Sequence, residues 1–241
     1  MAGKLFRTDP DAPYPELADA ALRQEVKALE ALTNPNIVRV MGPIPVTSRG
    51  EWMVISEWIE GTTLWEYTSG PSAMSGSGIF RTGEQLIGAL SYLESLGVVH
   101  RDIKPANVMI DTLGVVKLID FNLTRDTGQK TDVAGTRGYM PPDFMAWGPR
   151  VDSFVDRYAV GVILYELVTG DHPYASRLQN GQGQAAVPMP ADARTIRPDA
   201  SEAVADFFMR AVAPQETHRF ATAAEMLSAW SSLEADMRIL A

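Results

Sequence analysis

The sequence predicts an α+β chain in two unequal parts, a small strand-containing region followed by a larger, mainly helical one. Three observations carry that expectation. The chain has 241 residues, 46% of them hydrophobic, enough for one large domain or two small lobes with a packed core. Short β-rich runs fall in the first 60 residues and again near 108–119. Helical periodicity dominates the remainder, with apolar residues recurring every three to four positions.

The first strand is expected at Lys4–Arg7. A loop punctuated by Pro10, Pro13 and Pro15 follows, and then a helix from about Glu16 to Leu32, whose residues Ala18, Leu22, Val26, Leu29 and Leu32 share one face. Pro35, between Asn34 and Asn36, ends it. Ile37–Met41 and Trp52–Trp58 read as strands joined by a turn at Ser48-Arg49-Gly50. Beyond Gly61 helices are expected at Leu64–Tyr67 and Arg81–Leu96, the second closed by Gly97. Val108–Ile110 and Val115–Ile119 flank Thr112-Leu113-Gly114 and read as a hairpin. From Asp152 onward the pattern is helical, interrupted by the Gly/Gln/Pro-rich stretch Gln179–Pro190.

Composition narrows the function classes. With 30 acidic against 21 basic side chains the formal charge is −9, which opposes generic nucleic-acid binding, because that binding runs on Lys and Arg neutralising phosphates. The absence of Cys removes disulfide frameworks and thiolate metal sites and fits a reducing compartment. The longest apolar run, Tyr158–Val168, is interrupted by Glu166 and is about half the length of a membrane span. The opening residues lack the apolar core of a signal peptide. A cytoplasmic protein with no membrane segment is expected.

The informative stretch runs from His100 to Asp143. It reads His100-Arg101-Asp102-Ile103-Lys104-Pro105-Ala106-Asn107, then Asp120-Phe121-Asn122, then Gly135-Thr136 and Pro141-Pro142-Asp143. This sequence resembles the Ser/Thr protein kinase family in its bacterial form, over nearly the whole chain from Lys4 to about Trp230. The resemblance implies a bilobal protein-kinase-like α+β fold. Residues 1–60 would form a truncated small β lobe, and residues 61–241 a complete, mainly helical large lobe. It further implies transfer of the γ-phosphoryl group of ATP to Ser/Thr hydroxyls of a protein substrate, with Mg²⁺, or Mn²⁺ in its place. Self-association for autophosphorylation belongs to the same expectation.

Phosphoryl transfer needs positioning and charge neutralisation more than covalent help. By resemblance, Asp102 orients the acceptor hydroxyl and takes its proton, Asn107 and Asp120 hold the metal, and Lys104 neutralises the transferring group. Lys104 points to a Ser/Thr rather than a Tyr kinase. Taken alone, His-Arg-Asp also reads as a turn held by a salt bridge. His100 is expected to be structural, packed under Phe121.

The first helix offers a physical check. At 100° per residue, Glu25 falls inside the apolar arc of Ala18, Leu22, Leu29 and Leu32. A carboxylate there needs a cation or an escape to solvent. By resemblance Glu25 pairs with the strand lysine that touches the nucleotide phosphates, and Lys4 is the candidate. Ile55-Ser56-Glu57-Trp58-Ile59-Glu60-Gly61 resembles the kinase hinge, so the backbones of Glu57 and Ile59 would contact adenine, with Met109 as the floor beneath it. Ser56, at the gatekeeper position, would leave the space behind adenine open. In the activation segment, Asp120 to Asp143, Thr136 is expected to contact Asp102. Thr127 and Thr131 are the candidate phosphorylation sites, with Arg101 as the phosphate receptor. Asp143 would pair with Arg219, and Asp156 would anchor the catalytic-loop backbone. His172 and His218 are expected at the surface or at helix ends.

Two features depart from the family. Asn122 replaces the Gly of Asp-Phe-Gly, at a position where Asn is the non-Gly residue that best tolerates positive φ. No G-x-G-x-x-G occurs, and only Met1, Ala2 and Gly3 precede Lys4, so an N-terminally truncated kinase with an exposed sheet edge is expected. These departures support the rival reading, a pseudokinase or regulatory binding module on the same fold. A small-molecule kinase of the aminoglycoside-phosphotransferase type shares the Asp-Asn-Asp logic, but Lys104, Gly135-Thr136 and Pro141-Pro142-Asp143 argue against it.

Overall fold

The computed structural model describes residues 1–7, 24, 26–45, 51–70, 72–121, 136, 138–143, 152–175 and 189–240. Two small sheets and a set of helices make up this α+β structure. The first sheet holds β1 (Ala2–Arg7), β2 (Val40–Pro45) and β3 (Glu51–Ser56) in the order β1-β3-β2. Both pairings are antiparallel, with Lys4 opposite Val54 and Ala2 opposite Ser56. β1 has one strand partner among the described residues.

The strand expected at Ile37–Met41 is displaced to Val40–Pro45. Ile37 and Val38 run instead beside a strand of the second sheet: Ile37 forms a parallel bridge with Leu118, and the Val38 N–H donates to the Leu118 carbonyl at 2.9 Å. Both side chains are buried. Their apolar pattern reflects packing at the junction of the two sheets.

The second sheet comprises β4 (Gly61–Thr63), β5 (Val108–Asp111) and β6 (Val116–Leu118), ordered β4-β5-β6 and antiparallel. β5 and β6 are the expected hairpin, with Met109 opposite Lys117. Asp111 closes its turn by accepting the N–H groups of Leu113 and Val115, both at 2.8 Å. That is the local chemistry by which Asp favours turns.

Of the expected first helix, residues 26–30 are described as helical, and Val26 and Leu29 are buried with Leu32 just beyond them. We call this segment α1. α2 is the single turn Trp65–Thr68. α3 spans Gly76–Ser95, beginning five residues before the expected Arg81. Ser75 caps it, its side chain accepting from the Gly78 N–H. The early start was hidden by Gly76, which is small because its backbone packs against the chain's C-terminal end; its N–H donates to the Leu240 carbonyl at 3.2 Å. Gly97, at φ +66°, ends the helix as expected.

α4 (Phe154–Thr169) is buried along its whole length, which its nearly unbroken apolar sequence requires. α5 (Glu202–Ala211), α6 (Ala223–Ser231) and α7 (Glu234–Ile239) complete the helical part. Trp230 is fully buried where α3, α5 and α6 meet, stacked on Phe80 and donating from Nε1 to the Phe80 carbonyl at 2.9 Å. Among the described residues, no helix is long and apolar enough to cross a membrane.

Candidate active site

The loop from His100 to Asn107 is held from below by α4. Asp156, in the first turn of that helix, accepts the backbone N–H of His100 at 2.6 Å and of Arg101 at 2.9 Å. Those two bonds hold Arg101 at φ +72°, a conformation that costs about 1–3 kcal/mol for a residue with a side chain. Burial pushes the Asp156 carboxyl up to about 6, against the two N–H donors and the nearby Arg101 and Arg157. His100 is fully buried against Phe121, ring centroids 4.4 Å apart, with its Nε2 2.9 Å from the Ile119 carbonyl. Burial holds its imidazole down at about 4, so it is neutral at pH 7 and structural, as expected.

Asp102 is the focus of the loop. Its Oδ1 accepts from the Thr136 hydroxyl at 2.9 Å, and its Oδ2 from Lys104 Nζ at 2.8 Å and Asn107 Nδ2 at 3.0 Å. Lys104 also donates to Thr136 Oγ1 at 3.0 Å. A carboxylate has about four acceptor positions; three are filled here, which fixes the group and leaves one for an incoming hydroxyl. The short helical turn Pro105–Asn107 brings Asn107 back beneath the loop, where its Nδ2 also reaches the Asp102 carbonyl at 2.8 Å.

Asp120 follows β6 at φ +57°. The Ile119 N–H donates to the Asn107 carbonyl at 2.9 Å, so the hairpin itself sets Asp120 beside Asn107. Lys4 reaches across from β1 to within 3.4 Å of Asp120 Oδ1, both side chains half-exposed. The donor set suits a hard divalent cation. Asn107 spends its N–H groups on Asp102 and so keeps Oδ1 as an oxygen ligand, while Asp120 supplies the carboxylate. Mg²⁺ is commonly held by one or two protein oxygens together with phosphates and water.

The segment after β3 crosses to the second sheet. Glu57 is held twice: its N–H donates to the Arg39 carbonyl at 2.9 Å, and its Oε1 accepts the Arg39 N–H at 3.0 Å. The same oxygen accepts from Lys117 Nζ at 2.7 Å. Burial would push the Glu57 carboxyl up, but Lys117 and the Arg39 N–H outweigh it and hold the group below the usual range. At the far end the Thr112 N–H donates to the Glu60 carbonyl at 3.1 Å. Among the described residues, the Glu57 carbonyl and the Ile59 N–H have no hydrogen-bond partner. Met109 is half-buried on β5, directly opposite Lys117.

In the segment after Thr136, Tyr139 donates its hydroxyl to Glu166 Oε2 at 2.8 Å, and His172 Nε2 lies 2.9 Å from the Gly138 carbonyl. Burial pushes the Glu166 carboxyl up to about 7. His172 is therefore half-buried against this segment, while His218 is exposed. Asp143 pairs with Arg219 at 2.7 Å, as expected. Glu25, Asn122, Thr127 and Thr131 lie outside the described residues. Sequence reasoning missed Lys117 and the Tyr139–Glu166 contact; the available signals were a cation inside a short buried strand and a carboxylate interrupting the apolar run Tyr158–Val168.

The fold matches solved protein kinase domains. The kinase domain of Mycobacterium tuberculosis PknI superimposes with a TM-score of 0.67 at 21% identity, covering 95% of this chain and 84% of that one. A doubly substituted form of it gives 0.71 at 20% identity, covering 96% and 84%. The protein kinase domain family matches residues 1–231, and the chain belongs to that family. The serine/threonine-protein kinase PrkC of Bacillus subtilis is 30% identical over 217 residues, covering 85% of this chain and 32% of the relative. The serine/threonine-protein kinase PknB of Mycolicibacterium smegmatis is 32% identical over 236 residues, covering 85% and 34%. The chain thus spans about a third of the length of these relatives.

Proposed function

We propose that this chain is the catalytic domain of a Ser/Thr protein kinase, transferring the γ-phosphoryl group of ATP to protein hydroxyls. The observation that carries the reading is the Asp102 carboxylate, fixed by Lys104, Asn107 and Thr136 with one acceptor position left. In this reading Asp102 orients the acceptor hydroxyl and takes its proton, and Lys104 offsets the charge of the transferring group. Asn107 Oδ1 and Asp120 would hold Mg²⁺, or Mn²⁺ in its place; when bound with ATP, the ion neutralises phosphate charge. Lys4, paired with Glu25, would contact the phosphates. The backbones of Glu57 and Ile59 would bind adenine above Met109. The division falls at residues 60/61, a small lobe before it and a large lobe after it. A cysteine-free chain suits the reducing cytoplasm, and pairs of molecules would autophosphorylate on Thr127 or Thr131.

The test is labelling with [γ-³²P]ATP beside an Asp102→Asn control, under Mg²⁺ and under Mn²⁺. The parent chain is expected to label itself or an added protein acceptor, and the variant to lose at least about 100-fold, the scale of a general base. Equal labelling would favour the reading as a kinase-fold binding module.

A further inference from the structure

We infer that Lys117 is a positioning residue for the nucleotide: through Glu57 it fixes the hinge backbone at a set distance from the floor of the adenine site. The inference rests on the kinase reading above and deepens it. Lys117 lies on β6 directly opposite Met109, and in an antiparallel pair opposite residues share a face. From that face its Nζ reaches Glu57 Oε1 at 2.7 Å, spanning from the floor of the site to the hinge. The pair is partly shielded, with side-chain exposures of 16% for Lys117 and 32% for Glu57, so solvent screens it less than a surface pair.

The same Glu57 oxygen takes the Arg39 N–H, and the Glu57 N–H returns a bond to the Arg39 carbonyl. Arg39 precedes β2, so Glu57 joins three pieces of chain: the run into β2, the hinge and β6. The hinge is fixed again at Glu60, through Thr112. Between these two anchors lie the backbone groups left to adenine, the Glu57 carbonyl and the Ile59 N–H. Their spacing from Met109 is set by a side chain 60 residues away in sequence. Recognition of a flat base between a hinge and a floor depends on that spacing, because misplacement of a hydrogen-bonding edge weakens binding without touching the reacting atoms.

Lys117→Met keeps most of the side-chain stem and removes the charge. The experiment measures the Kd of a fluorescent ATP analogue at equilibrium. It also measures KM for ATP and kcat with myelin basic protein as acceptor. For Lys117→Met, Kd and KM for nucleotide are expected to rise together by about five- to tenfold, with kcat at saturating ATP within about twofold of the parent. Lys117→Arg, which can still reach the carboxylate, restores affinity. Glu57→Gln, which keeps the acceptor for Arg39 but not the charge, weakens nucleotide binding by a smaller factor and serves if Lys117→Met does not fold. A parent that binds nucleotide but phosphorylates nothing fails the catalytic reading alone, and the Kd series then still supports or overturns the positioning role. An unchanged Kd in Lys117→Met overturns the inference. So does a loss of kcat with Kd unaltered, or a parent that binds no nucleotide.

Discussion

His100 is buried without a charge, and acid is what tests it. The unfolded chain takes up this proton near pH 6.5, whereas the folded imidazole, depressed by burial, does so only near 4. The native state is therefore at no disadvantage from this residue above pH 6.5 and loses stability as the pH falls from there toward 4, by about 3 kcal/mol at most. Urea unfolding of the parent and His100→Gln between pH 7.5 and 4.5 checks this. The variant is expected to be less stable at pH 7.5, having lost its packing on Phe121, with the gap closing as the pH falls. Asp156, pushed up to about 6 by burial, acts in the opposite direction, so the comparison with the variant is what isolates His100. At this scale the catalytic loop was legible in the sequence. Its residues are near neighbours whose spacing encodes the geometry, and Asp102, Lys104 and Asn107 are drawn together within six positions. Lys117 was not legible, because its partner Glu57 is distant in sequence and nothing local marks the pair.

Helix α3 shows how one residue type can serve opposite purposes within a single element. A Cβ at Gly83 would lie 2.4 Å from the Trp230 ring, whereas a Cβ at Gly88 would meet nothing within 4 Å. Alanine favours a helix interior over glycine by about 1 kcal/mol. Gly88→Ala should therefore stabilise the protein by about 0.5–1 kcal/mol. Gly83→Ala should destabilise it by about 1–3 kcal/mol, since the indole is fully buried and cannot give way. Paired urea titrations at constant m-value decide the matter, and equal effects at the two sites would sink the packing argument. The existence of the helix was legible over Arg81–Leu96, where Leu86, Leu90 and Leu93 recur at helical spacing. Its start was not, because glycine is a poor helix former and the chain's distant end, which packs on Gly76, leaves no local mark. The same holds for Ile37 and Val38, whose apolar character reads as a strand wherever it is found.

Across the whole molecule, Asp143 and Arg219 tie the segment before residue 144 to the C-terminal helices. Arg219 Nη2 donates to Asp143 Oδ1 at 2.7 Å and its Nε to the Ala213 carbonyl at 2.7 Å, while its guanidinium lies 4.9 Å over the Tyr158 ring. The side chains are 3% and 13% exposed, so removing one partner leaves a buried charge. Arg219→Ala is expected to cost about 3–5 kcal/mol in urea unfolding, and a loss below 1 kcal/mol would show that the tie is dispensable. This pair was anticipated through the family resemblance, since no local rule joins residues 76 positions apart. The sequence by itself determined the family, the α+β class and the cluster of Asp102, Lys104 and Asn107, because hydrophobic period and tight motif spacing are local properties. Only the tertiary structure decided that Ile37 docks on Leu118, that Gly83 makes room for Trp230 and that Lys117 pairs with Glu57. Those contacts exist only once chain closure brings remote residues within a few ångströms, and no local pattern encodes that distance.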